Sequence, residues 1–208
     1  MIINESKKIN MSYESPSKCD GRLISAIKEK DFLDKLSEKL IKRDKNVEIE
    51  RPRDRYWYDI KINGIPINLK ITNGGTDNAF NKMAIMYTIT GKEHTKKSID
   101  YNKWYSLIMD ENKKKNRDHS SEYHYLVVMK STHKILLKSI LDIHTYKSNP
   151  SNVLQINWTN EFKNINYIIG NEGYNAKIIN LLQTIQKSLI QYNNGMNIFT
   201  NKNIETDF

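Results

Sequence analysis

Tyr56-Trp57-Tyr58-Asp59-Ile60-Lys61-Ile62-Asn63-Gly64-Ile65-Pro66-Ile67-Asn68-Leu69-Lys70-Ile71-Thr72 reads as two β-strands joined by a two-residue turn. Asn-Gly between apolar-rich runs is the strongest short-range hairpin signal, because a tight hairpin turn needs residues that accept positive φ. Side chains alternate across a strand, so Trp57, Asp59 and Lys61 are expected on one face of the first strand. On the second strand Asn68 and Lys70 share one face, and Ile65, Ile67, Leu69 and Ile71 take the other. A carboxylate, a carboxamide and an ammonium would then converge at one end of a rigid hairpin. Such a set suits a divalent-metal phosphodiesterase.

The chain around this hairpin has 208 residues, enough for one domain with a sizeable core. Lys and Arg total 33 against 24 Asp and Glu, a formal net charge of +9. That excess favours a polyanionic partner, most plausibly nucleic acid, although charge alone also fits a merely basic protein. One cysteine, Cys19, excludes an intramolecular disulfide and a Cys-cluster metal site. No apolar run is long enough to span a bilayer, and the first residues lack the apolar core of a secretory signal. The expected location is the cytoplasm.

Residues 1–20 are polar and poorly patterned and are expected to form an arm, with a single α/β domain over residues 21–208. Leu23, Ile27, Leu33, Leu36 and Leu40 recur at helical spacing within residues 22–43. Val47 to Glu50 alternates like a short strand. After the hairpin, Asn73-Gly74-Gly75-Thr76-Asp77 reads as a turn with Thr76 or Asp77 capping a helix that runs to about Thr90 and stops at Gly91. A further helix is expected near residues 99–109, with Trp104, Tyr105 and Ile108 on its apolar side. Residues 123–129 and 135–137 read as a buried strand and its hairpin partner. Residues 142–175 are turn-rich, with a strand near 153–158, and residues 176–192 form a strongly periodic helix.

The order helix, strand, strand with Asp59, tight turn, strand with Asn68-Leu69-Lys70, then helix resembles the core of the PD-(D/E)xK nucleases, and more narrowly the type II restriction endonucleases. The likeness continues through Asp77-Asn78-Ala79-Phe80-Asn81-Lys82, Tyr87-Thr88-Ile89-Thr90-Gly91 and Gln155-Ile156-Asn157-Trp158, and covers roughly residues 20–165. It implies a central mixed sheet flanked by helices and a Mg²⁺-dependent, sequence-specific cleavage of double-stranded DNA by a homodimer. It also implies catalytic roles for Asp59, Asn68 and Lys70, with Asp59, Asn68 and the Leu69 carbonyl as metal ligands. The second motif position normally carries an acid, and here it is Asn68. Either another acid supplies the charge, or the protein is an inactive relative, or the Asn stands in place of a natural Asp.

Glu29 lies on the same helical stripe as Leu33, Leu36 and Leu40 and is the first candidate for the compensating acid. Glu48 and Glu50 on the neighbouring strand are its rivals, and a solvated surface charge is the competing role for each. Asn73, Thr76, Asn78 and Lys82, at the turn and helix start after the hairpin, are candidate DNA contacts, as are Lys113, Lys114, Lys115 and Arg117 in a basic run. His94, His119, His124, His133 and His144 show no metal-ligand spacing. A non-catalytic DNA-binding protein and a repair or junction nuclease on the same core are the alternatives.

Overall fold

The computed structural model describes residues 1–13, 21–53, 56–78, 81–93, 104, 106–108, 121–149, 152–164 and 173–192. The chain is α/β and forms two compact units, the first from residues 1–73 and 124–138, the second from residues 74–123 and 139–208. No helix of the described residues is long and apolar enough to cross a membrane.

The first unit holds helices α1 (Ile2–Ser6) and α2 (Gly21–Arg43) and strands β1 (Ile49–Glu50), β2 (Ile60–Ile62), β3 (Ile65–Thr72), β5 (His124–Met129) and most of β6 (Ile135–Ser139). These strands make a mixed sheet in the order β1-β2-β3-β5-β6. β1, β2 and β3 are antiparallel, and β3 pairs with β5 in parallel. Asn63 (φ 49°) and Gly64 (φ 78°) make the tight turn between β2 and β3, as the Asn-Gly pair predicts. A Cβ at Gly64 would meet nothing within 4 Å, so Gly64→Ala is penalised by backbone conformation alone. We expect a loss of roughly 1–2 kcal/mol, read as a lower urea midpoint at unchanged slope.

Phe32, Leu33, Leu36 and Leu40 of α2 are buried against Ile60, Ile62, Ile67, Leu69, Ile71, Leu126 and Val128 of the sheet. Their spacing of three and four residues puts them on one helical face, which is why this helix docks as it does. Ile27 belongs to the same sequence stripe but is 59 % exposed, and the side chain of Leu23 lies outside the described ones. The N-terminal segment, expected as an arm, instead packs on this unit. Ile9 joins the core, and the Glu5 carboxylate bonds Lys8 and Arg43 at 2.8 and 2.7 Å, tying the first helix to the end of the second.

The second unit holds a three-stranded sheet in the order β4-β8-β7, from Thr76–Asp77, Asn152–Asn157 and Tyr146–Asn149. With it are helices α3 (Lys82–Thr90), α4 (Trp158–Lys163) and α5 (Tyr174–Tyr192). Ile178, Leu181, Leu182 and Ile185 bury one face of α5. Trp104 and Ile108 are fully buried, and the Trp104 indole donates to the Lys82 carbonyl at 3.2 Å; Tyr105 lies outside the described residues. The expected cap of α3 is corrected. Thr76 and Asp77 are extended and pair with Asn157 and Ile156, while Asn81 Oδ1 accepts the free N–H groups of Met83 and Ala84. Gly91 closes the helix in the left-handed conformation, as expected.

Candidate functional site

β3 runs five residues past the point where its ladder with β2 ends at Ile67, and the site is built on the edge that β2 leaves unpaired. Pro66 has no N–H, so the Lys61–Pro66 pair is the non-bonded one and Ile60–Ile67 the bonded one. The N–H of Asp59 also reaches the Ile67 carbonyl, at 2.9 Å. Trp57 and Asp59 lie before β2, which starts only at Ile60, so the strand alternation expected for Trp57, Asp59 and Lys61 does not hold. The Asp59 side chain instead turns to the sheet edge, where its Oδ2 accepts the Leu69 N–H at 2.7 Å.

Ile71 is the next residue of β3 whose N–H points to that edge. The carboxylate of Glu29 reaches down from α2 toward that N–H, which acts to lower its pKa. Two acids from separate elements thus face alternate amides of one strand. The Leu69 carbonyl points the same way as its N–H, so a third hard oxygen faces the same space.

Burial raises the pKa of both carboxyls above their usual range. For Asp59, the Leu69 N–H, Lys70 and Arg51 oppose the effect. For Glu29, Lys70 opposes it and the charge of Asp59 adds to it. Glu29 therefore senses Asp59, and the Lys70 charge acts on both acids. Two carboxylates and a carbonyl suit Mg²⁺, which takes one or two carboxylates and completes its shell with water and substrate phosphate. Among the described residues no cluster of three or more His, Cys, Asp or Glu side chains offers a fuller protein cage.

Glu29 and Asp59 line a cleft of about 670 Å³ between α2 and residues 51–53, Tyr56 and Tyr58. Glu50 is engaged elsewhere, accepting from the Tyr58 hydroxyl at 2.5 Å and lying 3.7 Å from the Lys61 ammonium. That hydroxyl is pushed up to about 12, chiefly by burial. Glu48 is exposed, its backbone N–H bonded by the Asn63 side chain. Of the three glutamates considered, the fold brings only Glu29 to Asp59. By strand alternation Asn68 and Lys70 leave β3 on the face opposite Leu69. No hydrogen bond joins Asn68 to Asp59 or Glu29 among the described residues.

The candidate DNA contacts are spread. Asn73 is exposed at the end of β3 in the first unit. Thr76 and Asn78 belong to the second, where Asn157 Nδ2 donates to Thr76 at 3.4 Å and Gln155 Nε2 to Asn78 at 2.9 Å. Lys82 opens α3. Lys113, Lys114, Lys115 and Arg117 lie outside the described residues, as do His94 and His119.

In the second unit, Glu161 is fully buried yet satisfied. It accepts the N–H groups of His144 and Thr145 and the Thr145 hydroxyl at 3.1, 3.0 and 2.7 Å, pinning the loop before β7. His144 Nδ1 lies 3.3 Å from its other oxygen, a close contact without hydrogen-bond alignment.

No family model, curated protein or solved structure matches the chain.

Proposed function

We propose that the chain is a Mg²⁺-dependent endonuclease with a core of the restriction-endonuclease kind, hydrolysing phosphodiester bonds in double-stranded DNA. The observation that supports this most is the convergence of Glu29 and Asp59 on the free edge of β3, within electrostatic reach of Lys70. Glu29, Asp59 and the Leu69 carbonyl would hold the metal, and Glu29 would supply the charge that Asn68 does not. Bound there, Mg²⁺ supplies Lewis-acid polarisation of the phosphate and a water of lowered pKa.

The protein's own groups do the rest. Lys70 orients the attacking water and offsets the negative charge that grows on the non-bridging oxygens as the new P–O bond forms and the old one breaks. The partly enclosed cleft removes bulk water around the two acids and strengthens both effects. Sequence specificity and action as a homodimer follow from the resemblance of Asp59 and Asn68-Leu69-Lys70 to type II enzymes. In that arrangement a two-fold axis matches a palindromic site.

Incubation with several phage DNAs and Mg²⁺ tests the reading. Discrete fragments support restriction, a smear supports a repair or nonspecific nuclease, and intact but gel-shifted DNA rejects catalysis. The last outcome has its own structural support, because Asp59 already satisfies the Leu69 N–H that β2 leaves unpaired and Glu29 faces that of Ile71. The protein would then be a non-catalytic DNA binder.

Asn68→Asp separates the acids. With Glu29 as the second carboxylate, the added charge changes the single-turnover rate by less than about ten-fold, under 1.4 kcal/mol of barrier. A gain of a hundred-fold would move the role from Glu29 to position 68.

A further inference from the structure

The cleft that exposes Glu29 and Asp59 carries groups that hydrolysis at the two acids does not use. Its walls are α2 and residues 51–53, 56, 58 and 59, and its lining belongs wholly to the first unit. Arg51 and Asp34 face each other from the two walls, 3.1 Å apart, and neutralise one another. Lys30 on α2 and Arg53 on the opposite wall are exposed, and neither meets a carboxylate among the described residues. Ile27 lies on the same cleft at 59 % exposure, and Tyr56 adds an aromatic surface.

Two uncommitted cations beside exposed apolar surface call for a ligand that is anionic and apolar by turns. A lone phosphate would use the cations and leave Ile27 and Tyr56 idle. A nucleic-acid strand offers phosphate, sugar and base at a regular repeat. The guanidinium of Arg53 suits phosphate oxygens through its planar fork, and Lys30 suits them as a point charge. We infer that the cleft holds the nucleic-acid strand flanking the scissile phosphate, with Lys30 and Arg53 on neighbouring phosphates and Ile27 and Tyr56 against sugar and base. The placement of the strand rests on the nuclease reading of Glu29, Asp59 and Lys70; the affinity of the cleft for nucleic acid does not.

The test compares two double variants of equal charge, Lys30→Ala with Arg53→Ala, and Lys39→Ala with Lys42→Ala. The second pair lies further along the same helix, outside this cleft. Binding of a labelled duplex is measured in EDTA across a salt series, with thermal melting to verify that both proteins fold. The cleft pair is expected to lower the log–log salt slope by about 1.8, two phosphates at roughly 0.9 each, and the control pair to leave it unchanged. An equal fall in both pairs, an unchanged slope in the cleft pair, or no duplex binding by the parent protein overturns the inference. So does a mononucleotide that competes as well as the duplex. A cleft-dependent slope in a protein that cuts no DNA would uphold the cleft and reject the nuclease. Cleavage with an unaltered slope and KM in the cleft pair would do the reverse.

Discussion

Lys70→Ala is expected to lower the cleavage rate by on the order of a hundred-fold or more while leaving duplex affinity nearly unchanged. Lys70 lies between Leu69, whose N–H holds Asp59, and Ile71, whose N–H faces Glu29, and its charge acts on both carboxyls. A hundred-fold loss is about 2.7 kcal/mol of barrier, in the range of one preorganised electrostatic group. Loss of the ammonium also has a sign in pH. Lys70 opposes the burial that raises both acids, so without it both rise further. The acid-side limb of any metal-binding profile, where the carboxyls must lose their protons, therefore moves to higher pH in the variant. Single-turnover cleavage at saturating protein, set beside a gel shift, separates rate from binding. A variant that cuts like the parent would remove Lys70 from the site.

Much of the first unit could be read from local pattern. The helix over residues 21–43 follows from apolar residues three and four apart, and the β2–β3 hairpin from the Asn63-Gly64 pair. Glu29 was legible too, because steps of four, three and four link it to Leu33, Leu36 and Leu40. What local pattern did not carry was hydrogen-bond phase. Strict alternation puts Asp59 on the face of Lys61, whereas β2 begins only at Ile60 and the Asp59 carboxylate turns to the Leu69 N–H. Pro66 holds part of that information, since it fixes which β2–β3 pairs can bond, but the late start of β2 has no compositional mark.

Long-range pairing decided the other differences. Thr76 and Asp77 look like helix caps, yet β8, about 80 residues away, takes them as a strand, and Asn81 caps instead. β7 lacks the apolar alternation of a strand in Tyr146-Lys147-Ser148-Asn149 and is defined by its partner β8. Ile27 fits the core stripe by spacing, but it lines the cleft and stays exposed there.

Asp59→Asn and Glu29→Gln are each expected to stop cleavage and, in the absence of metal, to make the protein more stable at neutral pH. Burial is the largest influence on both carboxyls and raises both pKa values, against the opposing pull of backbone N–H groups and Lys70. A folded-state pKa above the unfolded value means the folded chain binds the proton more tightly. The stability this contributes is complete below the unfolded carboxylate pKa and is lost as pH rises through the folded one. At neutral pH the two charges therefore oppose folding. The amides remove the charge and keep an oxygen able to accept the Leu69 or Ile71 N–H. Their melting temperatures should exceed that of the parent at neutral pH, each kcal/mol counting for roughly 2–4 °C in a chain of this size. The gap should close as pH falls toward the unfolded carboxylate range. Mg²⁺ should stabilise the parent and leave the amide variants unmoved, because it binds the folded acids. Carboxylates that served only to cap the edge of β3 would give another pattern: variants no more stable than the parent, no response to Mg²⁺, and no effect on cleavage.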